Sequence, residues 1–276
     1  MQRGFTDEQT QAHDTLQLVT AIIGFVVSLL GVGLLFYQHR ALTRSSGLQL
    51  ILSLFCCFII HSLNRLIRYS LQPLPLWDCY IFGPINQLTR CVIFAYELTI
   101  SLFLYRIVVL NDTDTLQLLP VTHWLLWSWS ALLTALPATT SDYWPPDCYL
   151  NSATETGRVW MLVTILIPLI IYMLVILILL SIVSYTLLSK QEERLETRRR
   201  SVMMLMRIPV IFIVCWIPYM IYRFQVLVQD DNDFALEIAG AVGTGLHPIL
   251  TVLSFSWTPL VKFVQHFWDS RYVIDG

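Results

Sequence analysis

Charge is scarce in this sequence. Only 13% of its 276 residues are Asp, Glu, Lys or Arg, against 56% apolar, where a soluble domain usually carries about 25% charged residues. So few charges do not cover a water-facing surface of this size, and an outer face in contact with lipid accounts for the deficit. Lysine is scarcer still: Lys190 and Lys262 are the only two, both at the ends of apolar runs. A retinal-type photosensor or pump is thereby excluded, because its Schiff base needs a lysine deep in a span. The histidines, His13, His39, His61, His123, His247 and His266, show no close pairing with one another, so no metal centre and no metallohydrolase is expected unless distant segments converge. No catalytic residue, cofactor or nucleic-acid partner is expected. The first fifteen residues lack an apolar stretch and a small-residue cleavage pattern, so no cleavable signal peptide is read there.

What the chain has is hydrophobic length. Seven apolar segments stand out, at 16–37, 47–69, 80–109, 118–136, 159–188, 202–228 and 234–257. Each suffices for a hydrocarbon core of about 30 Å at 1.5 Å per helical residue. The runs are continuous rather than alternating, which favours helices over barrel strands. Beyond Thr258-Pro259, residues 259–268 set Leu260, Val261, Phe263, Val264, Phe267 and Trp268 against Lys262, Gln265 and His266, the pattern of a helix lying in the membrane interface. The expected fold is an all-α membrane protein: an N-terminus at 1–15, a seven-transmembrane helix bundle at 16–257, and a short C-terminal amphipathic helix with tail at 258–276.

Loop charges set the orientation. Arg40 and Arg44 follow the first segment; Lys190, Arg194, Arg198, Arg199 and Arg200 lie between the fifth and sixth; Lys262 and Arg271 follow the seventh. Asp7, Glu8, Asp14, Asp78, Asp142, Asp147, Glu155, Asp230, Asp231 and Asp233 fall on the opposite side. The positive-inside rule then places the N-terminus outside and the C-terminus in the cytoplasm, as in a multi-pass plasma-membrane protein. The acidic stretch Asn111-Asp112-Thr113-Asp114 argues weakly the other way.

Cys79 and Cys148 both fall on the outer side, where a bridge between them would persist; two separate loop thiols are the alternative. Cys56, Cys57, Cys91 and Cys215 sit within apolar runs and read as small buried hydrophobes. In the sixth segment Pro218 cannot donate to the carbonyl of Val214, which kinks the helix beside Trp216. That kink is a hinge or simply architecture. Polar residues recur at helical spacing in the outer half: His61, Asn64, Arg65 and Arg68 on the second helix, Asn86, Gln87 and Arg90 on the third with Glu97 deeper, and Tyr219 and Arg223 on the sixth. Arg90 and Glu97 lie about 16 Å and 27 Å along the axis from Cys79. Charge at membrane depth is costly and faces a partner or a watered cavity. Snorkelling explains Arg68 and Arg158 near their helix ends, but not Arg90. A cavity lined by these arginines would favour an anionic or phosphate-bearing small ligand. On the inner rim, Arg106 and Arg198-Arg199-Arg200 are either a docking surface or a site of attraction to anionic lipid.

Seven spans, the Cys79 and Cys148 positions, Cys79-Tyr80-Ile81-Phe82-Gly83 and Pro209-Val210-Ile211-Phe212-Ile213-Val214-Cys215-Trp216-Ile217-Pro218 together resemble G-protein-coupled receptors. Within them the chain looks most like the cyclic-AMP-receptor-like group of amoebae and its fungal nutrient-sensing relatives, with Arg223 where that group tends to place an arginine. It departs from the rhodopsin-like pattern: Leu104-Tyr105-Arg106 closes the third helix and Leu253-Ser254-Phe255-Ser256-Trp257 ends the seventh. Tyr222 stands where the group has asparagine. The resemblance implies a receptor that binds an extracellular ligand in the upper cavity, pivots its sixth helix near Trp216 and Pro218, and engages a heterotrimeric G protein. On this reading His61, Asn64, Arg65, Asn86, Arg90, Tyr219 and Arg223 bind ligand, and Arg106, Arg198, Arg199 and Arg200 face the G protein. The alternatives are a small transporter, with Arg90, Glu97 and the Gly240, Gly243, Gly245, Pro248 interruption lining a path, or a receptor-like protein without G-protein coupling.

Overall fold

The computed structural model describes residues 6–37, 46–70, 76–112, 119–140, 143–144, 149–150, 154–189, 196–229 and 233–272. The helices are α1 (Asp7–Tyr37), α2 (Ser46–Ser70), α3 (Leu76–Val108), α4 (Leu119–Ala138), α5 (Glu155–Ser189), α6 (Glu196–Gln229) and α7 (Phe234–Tyr272). All but α4 are long and apolar enough to cross a bilayer, so the chain is a multi-span helical membrane protein. A two-residue antiparallel ladder, β1 (Tyr143–Trp144) with β2 (Tyr149–Leu150), precedes α5.

Two boundaries differ from the sequence expectation. The polar N-terminus expected at 1–15 is not separate from the first span, because α1 begins at Asp7. Its start is a reciprocal cap: the Gln9 N–H donates to the Thr6 hydroxyl at 3.2 Å and the Thr6 N–H to Gln9 Oε1 at 3.0 Å, which satisfies two otherwise open donors. At the other end the amphipathic helix expected after Thr258-Pro259 is not a separate element, since α7 is helical through to Tyr272. Proline removes one donor but does not by itself end a helix whose neighbours keep their bonds. At 39 residues, α7 reaches about 58 Å, nearly twice the hydrocarbon thickness.

Packing is inverted relative to a soluble bundle. Large apolar side chains such as Ile22, Leu30, Leu174 and Ile178 are exposed on the outside, while Arg65, Arg68, Gln87, Glu97 and His247 are buried within. Helix α3 is the central post, packed against α2, α4, α5 and α6. Helices α6 and α7 touch backbone to backbone: a Cβ at Gly240 would lie 3.1 Å from Tyr219 Cα, and one at Gly243 would collide with the Cys215 carbonyl. Only glycine permits that approach, which makes α6 and α7 one unit.

The start of α5 carries a π-helical turn at Leu162–Leu166. Pro168 has no N–H to offer the Thr164 carbonyl, which the Cys91 thiol approaches at 4.0 Å. The turn also presents the Thr164 hydroxyl to Gln87 of α3, whose Nε2 donates to it at 2.9 Å and to the Leu133 carbonyl of α4 at 3.2 Å. The Tyr143 hydroxyl of β1 donates to Gln87 Oε1 at 2.8 Å. One buried amide thus joins four elements, and burial pushes the Tyr143 phenol above its ordinary titration range.

Candidate functional site

Arg90, Phe94 and Glu97 are spaced i, i+4, i+7 and share one face of α3. Phe212, Trp216, Tyr219 and Arg223 do the same on α6. The two stripes meet. Arg90 Nη1 donates to the Tyr219 hydroxyl at 2.9 Å. One turn deeper Phe94 meets Trp216 edge-on, with ring centres 4.5 Å apart. Deeper again, Glu97 reaches past α6 to His247 of α7 at 3.0 Å. Pro218 lies between Trp216 and Tyr219, so the contact zone sits on the part of α6 that lacks a backbone hydrogen bond.

Above this stripe lies a cavity of ≈ 40 Å³, enough for water rather than for an organic molecule. Arg68 and Tyr69 of α2, Arg90 of α3, Tyr219, Tyr222 and Arg223 of α6, His13 and Gln17 of α1 and Glu237 of α7 line it. The guanidinium groups stack on phenols: Arg68 on Tyr69 at 4.4 Å, Arg90 on Tyr219 at 5.3 Å, and Arg223 on Tyr219 and Tyr222 at 5.1 and 5.2 Å. His13 lies 3.2 Å from Asp14, 3.2 Å from Gln17 and 3.7 Å from Glu237. Among the described residues, three guanidinium groups and one carboxylate, Glu237, line the cavity.

Of the ligand-binding residues expected from the sequence, Arg90, Tyr219 and Arg223 line the cavity. Arg65 stands one layer behind, donating to Gln17 Oε1 and, at 3.2 Å, to the Thr20 hydroxyl. His61 turns to the Thr89 hydroxyl at 3.2 Å, and the Asn64 amide donates to the Phe82 carbonyl at 3.4 Å. Asn86 is buried, with no partner for its Oδ1 among the described residues. None of these three lines the cavity. Arg68 is not a snorkelling residue: it is 4% exposed and points inward. Sequence reasoning also missed His13, Gln17 and Glu237. The capping pair Thr6 and Gln9, which carries the helix out to His13, was the available signal for the first two.

Neither a family model nor a curated protein matches the chain. Function must therefore be read from the geometry. Among the described residues no cluster of His, Cys, Asp and Glu suited to a metal ion occurs.

At the C-terminal end of α3, Arg106 is held by Asp112: Nη2 pairs with Oδ2, and Nε donates to the same oxygen at 3.2 Å. The Asp112 N–H also donates to the Arg106 carbonyl at 3.0 Å, with Asn111 at φ 53° making the turn. The acidic stretch after α3 thus neutralises an arginine at the helix end. Arg198, Arg199 and Arg200 fall near the start of α6, and their side chains lie outside the described residues, as does Cys148. Cys79 is fully buried and is not among the free thiols.

Proposed function

We propose that the chain is a seven-span receptor of the G-protein-coupled kind, with its N-terminus outside the plasma membrane, that senses a small anionic ligand. The observation that carries this reading is the link between Arg90 and Tyr219. It joins the arginine-lined cavity directly to the segment of α6 that holds Trp216 and Pro218. An anion that recruits Arg90 and Arg223 competes for the same donors, loosens Tyr219 and frees Trp216 from Phe94. Such a ligand shifts a population only by preferring the loosened state.

Supporting the seventh span is α4. Its 20 residues reach about 30 Å, and Trp124, Leu125, Trp129 and Leu132 face outward. Two of its polar side chains are partnered: His123 meets the Tyr96 hydroxyl at 2.7 Å and Trp129 Nε1 donates to the Tyr172 hydroxyl at 3.0 Å. A Cys79–Cys148 bridge fits the exclusion of Cys79 from the free thiols and would pin the loop before α5 over α3. On the inner face Arg106, with Arg198, Arg199 and Arg200, would meet the G protein, which requires Arg106 to leave Asp112.

The test is a G-protein dissociation reporter in cells, with Arg106→Ala and vector controls, challenged with nucleotides and small organic anions. A basal or evoked signal lost in Arg106→Ala supports the receptor. Confirmed surface expression without coupling to any G-protein class sinks it. One observation favours a second reading, a small transporter: the buried ionisable pair Glu97 and His247. Electrogenic uptake independent of G protein would support that reading instead.

A further inference from the structure

Glu97 and His247 stand apart from the outer cavity. Their side chains are 0% and 1% exposed and 3.0 Å apart. Around the imidazole are Phe58, Phe212 and Trp216, with ring centres at 5.1, 5.6 and 6.1 Å. Glu97 Oε2 and Trp216 Nε1 have no hydrogen-bond partner among the described residues. The pair is the polar bridge from α3 to α7, and α7 is locked to α6 through Gly240 and Gly243.

We propose that Glu97 and His247 form a proton-binding site that closes α3 onto the α6–α7 unit, the closed packing holding one proton more than the parted one at neutral and alkaline pH. This proposal is independent of whether the chain signals or transports. Removing both protons would leave a lone carboxylate among aromatic rings, and adding a second would leave a lone cation there, each costly in an apolar core. One shared proton leaves the pair neutral overall, whether as imidazolium with carboxylate or as imidazole with carboxylic acid. Arg90 of α3 lies two turns outward, beside the Tyr219 phenol, and His61 of α2, turned to the Thr89 hydroxyl, lies within electrostatic reach of His247 and of Arg65 and Arg68. Cys215 of α6 faces Glu97, while His13 of α1 and Glu237 of α7 lie in the outer cavity. The cations among them disfavour protonation at either step, and for the first proton the cost of a lone carboxylate buried among aromatic rings opposes them.

When the helices part, water reaches both groups, and a hydrated carboxyl and a hydrated imidazole titrate at about 4.3 and about 6.5. Above pH about 7 the parted pair therefore holds almost no proton and the closed pair holds one. Lower pH favours the state that binds more protons, so acid closes and alkali parts the helices. The closed-to-parted ratio falls about tenfold per pH unit above pH about 7 and is flat between about 5 and about 6.

The test uses the full chain in phospholipid nanodiscs, with spin labels at Leu102→Cys on α3 and Leu253→Cys on α7. Both positions are exposed, and Cys56→Ser removes the exposed native thiol. Distance distributions are then recorded from pH 5.5 to pH 8.5. The expected result is a longer-distance population that grows towards alkaline pH. Glu97→Gln, which cannot hold the proton, should abolish that growth above pH about 7. His247→Gln leaves a carboxylic acid alone in the apolar core; it should keep the growth and start it near pH about 5. A pH-independent wild type overturns the proposal, and so does a Glu97→Gln variant that keeps the wild-type slope. If either variant fails to fold, the wild-type profile together with the remaining variant still decides.

Discussion

Gly243 of α7 lies against the Cys215 carbonyl of α6 so closely that a single added methyl group would collide with it. This contact turns two helices into one body, and the links from α3 to that body then act together. Arg90 with Tyr219, Phe94 with Trp216 and Glu97 with His247 form, in effect, one seam.

Gly243→Ala should separate α6 from α7. Backbone cannot yield as a flexible side chain can, and overpacking of this kind costs about 1–3 kcal/mol or more. Thermal unfolding in detergent should show a clearly lowered midpoint. Gly33→Ala is the control, because a Cβ there meets nothing within 4 Å; its midpoint should be unchanged.

Much of the fold was legible because long apolar runs survive any arrangement of neighbours. The observed α2, α3, α5 and α6 contain or nearly match the expected segments. The start of α1 was not legible because polar residues outside the bilayer look like loop until a cap such as Thr6 with Gln9 is noticed. In the site, Arg90, Tyr219 and Arg223 were visible as polar residues at helical spacing within apolar runs. Glu237 lies where α7 begins and resembles an ordinary helix-start acid, and His247 is a lone histidine before proline. Their partners, His13 and Glu97, are far away in sequence, so only packing brings them together. Arg68 was misread because nearness to a helix end says nothing about which way a side chain points.

Gln87→Leu removes the amide that joins α3, α4, α5 and β1. It leaves the Tyr143 hydroxyl only the longer bond to the Thr134 carbonyl at 3.4 Å, while the Thr164 hydroxyl keeps the Trp160 carbonyl at 2.7 Å; a weakened buried hydrogen bond of this kind costs about 1 kcal/mol. A lowered unfolding midpoint and faster amide exchange in Tyr143–Trp144 and Tyr149–Leu150 should follow.

Tyr143 also sets an alkaline limit. Burial raises its phenol above the unfolded value, so the folded state binds more protons once pH exceeds about 10, the ordinary phenol range. Its contribution is intact below that pH and is lost as pH rises through the folded value. Tyr143→Phe should therefore lessen the steepness of alkaline destabilisation, measured as unfolding midpoint against pH from 8 to 11.

Asp112→Asn should free Arg106 at the C-terminal end of α3. The pair is about one-third exposed on both sides, so the effect on stability should be small, about 0–1 kcal/mol. Basal G-protein dissociation should rise several-fold at equal surface expression, whereas Arg106→Ala should abolish it.

The most direct measurement is basal G-protein dissociation by Tyr219→Phe, which keeps the ring beside Trp216 and deletes only the hydroxyl that accepts from Arg90 at 2.9 Å. If that hydrogen bond holds α6 closed, the variant should signal above the wild type without ligand and respond less to small anions. An unchanged or lower basal signal, at equal surface expression and in an assay where the wild type couples, would contradict the seam between Arg90 and Tyr219 as the restraint on α6.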